Sequence, residues 1–143
     1  DALAYAVATL APDVLIDVAT LTGAATLGLG RTHAPYYVTD DALRGALEAA
    51  AAASGELIWE MPLVAEYRPA LDSAVADLTS TATSPIGGGS ITAALFLREF
   101  VGDVAWAHFD IAGAGRSTTD AGILAKGPTA FGVRLLLRYL THA

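Results

Sequence analysis

Ser90, His108 and Asp110 supply the residue types of a nucleophilic hydrolase. Such a set needs a hydroxyl raised on a sharp turn and a His that takes its proton. Ser90 lies in no Gly-x-Ser-x-Gly elbow, so the motif carries little weight. Metal-assisted hydrolysis needs carboxylates or imidazoles converging on an ion. The 15 acidic residues are dispersed, and His33, His108 and His142 have no paired spacing. Asp13 reads as a turn residue. Asp17 and Asp110 stand near strand ends and read as orienting, hydrogen-bonding carboxylates and not as metal ligands. His108, between Ala107 and Phe109, reads as a core histidine. The glycine strings match no phosphate loop: no Gly-Lys-Ser/Thr follows Gly23–Gly30 or Gly87–Gly89, and Gly28-Leu-Gly30 lacks the third glycine of a dinucleotide fingerprint. Tight turns and close backbone approach account for them better.

These residues must be positioned by an alternation of helical stripes and short apolar runs. Asp1–Ala11 sets Leu3, Val7 and Leu10 on one helical face and ends at Pro12-Asp13. Val14–Val18 is a β-branched apolar run that predicts a buried strand. Thr20–Gly23 is a turn, and a glycine-rich bend leads to a strand over Pro35–Thr39. Asp40 or Asp41 caps a helix through Leu43, Leu47 and the alanine tract, which Gly55 stops. Leu57–Pro62 is extended, with Trp59 and Met61 on one side and Ile58 and Glu60 on the other. Val64–Leu71 is helical up to Arg68, where Pro69 breaks it. Ala74–Gly89 is irregular, and Thr79–Gly89 within it reads as an exposed or site-lining loop. Ser90 caps a helix whose buried stripe is Ile91, Ala94, Leu95, Leu97 and Phe100. Val104–Ile111 is a central strand, followed by a glycine-rich loop over Ala112–Gly127 and a last helix over Thr129–Thr141. The pattern predicts an α/β fold, a three-layer α/β/α sandwich on a mixed, mostly parallel sheet. Val14–Val18 and Val104–Ile111 are expected as neighbouring interior strands.

Composition narrows the function. Hydrophobic residues make up 54% of the 143 and charged residues 16%, against roughly 25% charged in an ordinary soluble domain. A small domain has a large surface to cover with polar groups. The expectation is a partial domain, covered by further sequence or by other subunits. A net charge of −7 and eight scattered Lys and Arg residues argue against a nucleic-acid binder. Apolar runs break well short of the ~18 residues of a membrane span. No secretory signal opens the chain. The absence of Cys excludes disulfides and thiolate chemistry and fits a reducing cytoplasm.

Several strings, in order, resemble one family. Asp17-Val-Ala-Thr-Leu-Thr-Gly-Ala24 and Trp106-Ala-His-Phe-Asp-Ile-Ala-Gly113 are similar to the catalytic domain of the leucyl aminopeptidases, which are two-metal exopeptidases. Trp59-Glu-Met-Pro-Leu63 with Glu66-Tyr67-Arg68, Ser73-Ala-Val-Ala-Asp-Leu78, Gly88-Gly-Ser-Ile-Thr-Ala-Ala-Leu-Phe-Leu97 and Pro128-Thr-Ala-Phe-Gly-Val-Arg-Leu-Leu136 extend the resemblance over nearly the whole chain. Each string alone is weak, and together they are highly specific.

The resemblance implies a parent enzyme that releases N-terminal residues from peptides with two divalent ions, zinc, manganese or magnesium. It also implies a hexamer and a cytoplasmic setting. The family's metal ligands and its catalytic Lys and Arg would lie upstream of Asp1, so the chain itself is expected to hold no ion and to be inactive alone. What carries over is the substrate pocket. A carbonyl at Leu21 and an amide at Gly23 would contact the substrate within the turn Thr20, Leu21, Thr22 and Gly23. Thr20 and Gly23 would line the first side-chain pocket with Ala112 opposite. Ala114-Gly115-Arg116 departs from the commoner pattern. If Gly115 lines the pocket, the pocket is wider or its wall more mobile. Two other classes stay open: a non-catalytic assembly module that keeps the fold, and a nucleotide-binding α/β module, which the glycine spacing disfavours.

Overall fold

Local signals account for most of the elements in the computed structural model, which describes residues 1–142. Helix α1 spans Ala2–Leu10, strand β1 Val14–Ala19, helix α2 Gly23–Leu29 and strand β2 Ala34–Val38. The Asp40 carboxylate accepts from the Leu43 amide at 2.8 Å and starts helix α3, Asp41–Ser54. Its stripe of Leu43, Leu47, Ala50 and Ala51 is buried. Strand β3 (Ile58–Glu60) and a 3₁₀ helix (Ala65–Leu71) follow. Beyond them come helix α4 (Gly89–Arg98), strand β4 (Ala105–Asp110), the two-residue strands β5 (Arg116–Ser117) and β6 (Gly127–Pro128), and helix α5 (Val133–His142).

The main sheet has the order β1-β4-β2-β3. β1 and β4 pair parallel, as do β2 and β3, while β2 and β4 run antiparallel. The sheet is therefore mixed and mostly parallel, and helices cover both faces. Because successive strand residues point to opposite faces, neighbours separate into different cores. Tyr36 joins Phe109, Leu47 and Leu135 under α3 and α5, and its ring stacks on Phe109 at 5.6 Å. Tyr37 points the other way, joining Ile91, Ala94 and Leu95 of α4 and Leu71 of the 3₁₀ helix. Trp106, His108 and Asp110 alternate along β4 on that same face, and all three are fully buried.

Five expectations need correction. β1 does neighbour β4, but in the sheet that the described residues form it lies at the edge and not inside, with Val14 and Val18 partly exposed. A run apolar on both faces shows that it wants cover, not how many strands flank it. The glycine-rich bend after Thr22 contains α2, a helix that propensity disfavours but a cap and packing hold. Ser90 is not the cap of α4: Gly88, in the left-handed region at φ 59°, occupies that position, and Ser90 turns into the core. The helical segment before Asp72 passes through Pro69, because 3₁₀ bonds such as Asp72 N–H to the Pro69 carbonyl, 3.1 Å, need no Pro amide. The last helix starts at Val133 and not Thr129, since Ala130 sits at φ 54° and turns the chain before it.

Candidate functional site

β1 and β4 end side by side, with Ala19 in register with Asp110. The chain leaving β1 must turn at once, and its amides then face the end of β4. Asp110, fully buried, takes them up. Its Oδ1 accepts from the amides of Leu21 at 3.0 Å, Thr22 at 3.3 Å and Ala112 at 3.2 Å. Its Oδ2 accepts from the Thr22 hydroxyl at 2.7 Å and the Ser90 hydroxyl at 3.4 Å. One carboxylate thus ties the turn after β1 to the loop after β4. Five donors satisfy a charge that would otherwise be costly to bury.

Thr22 serves two partners. Its Oγ1 donates to Asp110 and also accepts from the Ala25 amide at 3.1 Å, which caps α2. The same residue therefore ends the turn and begins the helix. Gly113 then lets the β4 loop pass against the end of α2: a Cβ there would collide with the Gly30 carbonyl oxygen. A cavity of about 290 Å³ opens beside the turn. Leu21 and Thr22 form one wall, Ser80–Ala82 and Gly87 of the irregular loop another, and Thr92 of α4 a third. No charged side chain lines it.

The other polar groups of this face bond one another, except His108 Nε2, which is buried without a hydrogen-bond partner. Asp17 accepts from Trp106 Nε1 at 2.7 Å and contacts His108 Nδ1 at 2.6 Å. His108 stacks between Trp106 and Tyr37, with ring centres 6.1 and 5.9 Å away. Ser90 bonds Tyr37 and Asp110 and not His108, so the three residues do not form a nucleophilic set. Among the described residues no group of three or more His, Cys, Asp or Glu converges to hold an ion. The residues present do not fit a two-metal centre, because the two carboxylates nearest the turn are spent on hydrogen bonds.

Residues 1–137 match the family described as the cytosol aminopeptidase family, catalytic domain. The chain belongs to the cytosol aminopeptidase family. It is 49% identical over 140 residues to a protein of Trichormus variabilis named "Probable cytosol aminopeptidase", covering 98% of this chain and 28% of that one. A protein of the same name from Synechococcus sp. is 48% identical over 143 residues, 99% of this chain and 28% of that one. A solved tomato leucine aminopeptidase mutant superposes with a TM-score of 0.90 at 39% identity, over all of this chain and 27% of that one. The chain thus spans little more than a quarter of the relatives it matches.

Within this cytosol aminopeptidase fold the residues read from sequence fall as follows. Thr20, Leu21, Thr22 and Gly23 lie at the carboxyl end of β1, and Ala112 lies at the same end of β4, joined to them through Asp110. Gly115 is tied at both sides: its amide donates to the Ile111 carbonyl at 2.7 Å, and its carbonyl accepts from Thr129 at 3.1 Å. A Cβ on Gly115 would come 2.8 Å from the Ile111 oxygen. That turn accounts for the glycine; of the six residues, Leu21 and Thr22 line the cavity beside the turn, and Thr20, Gly23, Ala112 and Gly115 do not. Sequence reasoning found Asp110 as an orienting carboxylate but missed its partner Ser90, 20 residues away along the chain, and Tyr37, which bonds Ser90. It missed Glu56 altogether. This carboxylate is buried and accepts from the amides of Gly132 and Leu135 at the start of α5, partners 76 and 79 residues away, so no local signal marks it.

Proposed function

We propose that this chain is the C-terminal portion of an aminopeptidase catalytic domain and that it supplies the wall on which the N-terminal end of a peptide is held. The observation that carries the reading is the clamp of Asp110 on the turn Thr20–Gly23. Backbone groups held by a buried charge are fixed before the substrate arrives, so binding costs little ordering. The carbonyl of Leu21 and the amide of Gly23 are the groups that would meet the peptide. Thr20, Gly23 and Ala112 would shape the pocket for its first side chain. A site at the carboxyl ends of adjacent parallel strands is the usual place for a ligand in such sheets. The metal ions that family membership implies would take their ligands from other parts of the complete protein, since the residues here do not fit them. A cytoplasmic location and self-assembly into a hexamer belong to the same reading. Among the described residues no helix is long and apolar enough to cross a membrane.

The test is an aminopeptidase assay on a leucine amide with added zinc, manganese or magnesium, with calorimetry for metal binding. The 143 residues alone are expected to give no turnover and no tight binding of an ion pair. The complete protein is expected to hydrolyse the amide. Chelator-sensitive turnover from the purified chain alone would show that the metal site is misplaced. No turnover from the complete protein would favour a non-catalytic module.

A further inference from the structure

The Asp110 clamp has a support behind it in the core. Tyr37, on β2, is fully buried, and its hydroxyl donates to Ser90 Oγ at 2.8 Å. With one lone pair so occupied, the Ser90 hydroxyl is left to donate toward Asp110 Oδ2, the same oxygen that holds Thr22. The three residues come from β2, α4 and β4, so the chain of bonds runs from the middle of the sheet to the turn at its end. Tyr37 stays protonated throughout, since burial pushes its hydroxyl up to about 12. As a protonated phenol it donates a hydrogen bond to Ser90, and Ser90 donates onward to Asp110. A buried chain of this kind is stiff, and removing one member leaves the next with a choice of orientation.

We propose that Tyr37 and Ser90 are positioning residues that act through Asp110 on the turn Thr20–Gly23, and so set how tightly the enzyme holds its peptide from a place the peptide never touches. This rests on the reading of the turn as the peptide-holding wall. If the turn loosens, only the fraction of molecules with the turn in place binds well, and apparent affinity falls by that fraction. The effect belongs in KM more than in kcat, because neither residue meets the reacting atoms.

The experiment uses the complete enzyme with the variants Tyr37→Phe, Ser90→Ala and the pair. A control, Tyr36→Phe, deletes the neighbouring hydroxyl, which bonds Glu48 at 2.9 Å on the opposite face. Each single variant in the chain is expected to raise KM for a leucyl peptide by about two- to tenfold, the range of one net hydrogen bond, with kcat changed less. The double variant should match the larger single effect and not the product, because the two act in series. Amide exchange at Leu21, Thr22 and Ala112 should quicken in the same variants. Tyr36→Phe should lower the melting temperature while leaving KM and those three amides alone. Faster exchange with unmoved KM would overturn the proposal and leave the enzyme assignment standing. Unchanged exchange, multiplicative KM effects, or an equal rise of KM in Tyr36→Phe would overturn it too. A complete protein without activity toward any leucyl substrate would remove the functional reading and this inference with it.

Discussion

A single buried carboxylate organises the end of the sheet, and its removal is the sharpest test of the residue-level account. Asp110→Ala leaves the Leu21, Thr22 and Ala112 amides without their acceptor. These donors are part-buried and water can reach them once freed, so a loss of about 1–3 kcal/mol is expected by denaturant titration. A shift under about 1 kcal/mol would mean that the turn holds itself. Gly113→Ala tests a different contact. A methyl group there meets the Gly30 carbonyl, and overpacking of that kind costs about 1–3 kcal/mol. The tyrosines give the pH dependence. Burial raises the hydroxyls of both Tyr36 and Tyr37 above the ordinary value of 10.0. A raised value in the folded state means stability that is whole below about pH 10 and is lost as pH climbs through about 12. Melting temperature measured from pH 9 to 12 should therefore fall, and Tyr37→Phe should make that fall shallower.

At the scale of elements, side chains distant in sequence decide where helices begin. Helix α3 follows the local rule, with Asp40 at its head, and Asp40→Ala should cost about 1 kcal/mol. Helix α5 does not. Its start is held by Glu56, whose Oε2 accepts from Gly132 at 3.2 Å and Leu135 at 2.8 Å. This carboxylate joins the connection between α3 and β3 to the last helix and lies where the helix dipole favours a negative charge. Glu56→Ala should cost about 1–3 kcal/mol, with faster amide exchange at Gly132 and Leu135 and little change in α4. Equal exchange along both helices would indicate general unfolding and not a lost cap. Helix α2 shows the same dependence on context. Gly23 and Gly28 weaken it locally, yet Thr22 caps it, and Ala24 packs so closely on α4 that a Cβ at Gly89 would lie 3.1 Å from it.

The molecule as a whole leaves apolar surface uncovered. β1 presents an unpaired edge, and Leu137 and Leu140 on the outer side of α5 are 61% and 74% exposed. Open strand edges and contiguous apolar patches invite association. The purified chain is expected to self-associate unless it is joined by further sequence. Light scattering that finds a well-behaved monomer at high concentration would contradict this. Composition carried the same message before any coordinates, because 16% charged residues are too few to cover the surface of so small a body.

The sequence by itself determined the fold class, the positions of most elements and the family. Periodicity and caps act over three or four residues, and the strings around Asp17 and Trp106 are specific enough in combination. The reading of Asp17 and Asp110 as orienting carboxylates agrees with their hydrogen bonds to Trp106 and to the turn after β1. Only the tertiary structure decided that β1 is an edge, that Ser90 turns inward and that α2 and α5 begin where they do. It alone brought Ser90 and Thr22 to one carboxylate, with Tyr37 behind Ser90, and Glu56 to the last helix. These outcomes depend on groups 20 to 90 residues apart meeting in a buried place. There an unmet hydrogen bond costs more than any local preference for helix, cap or turn can return.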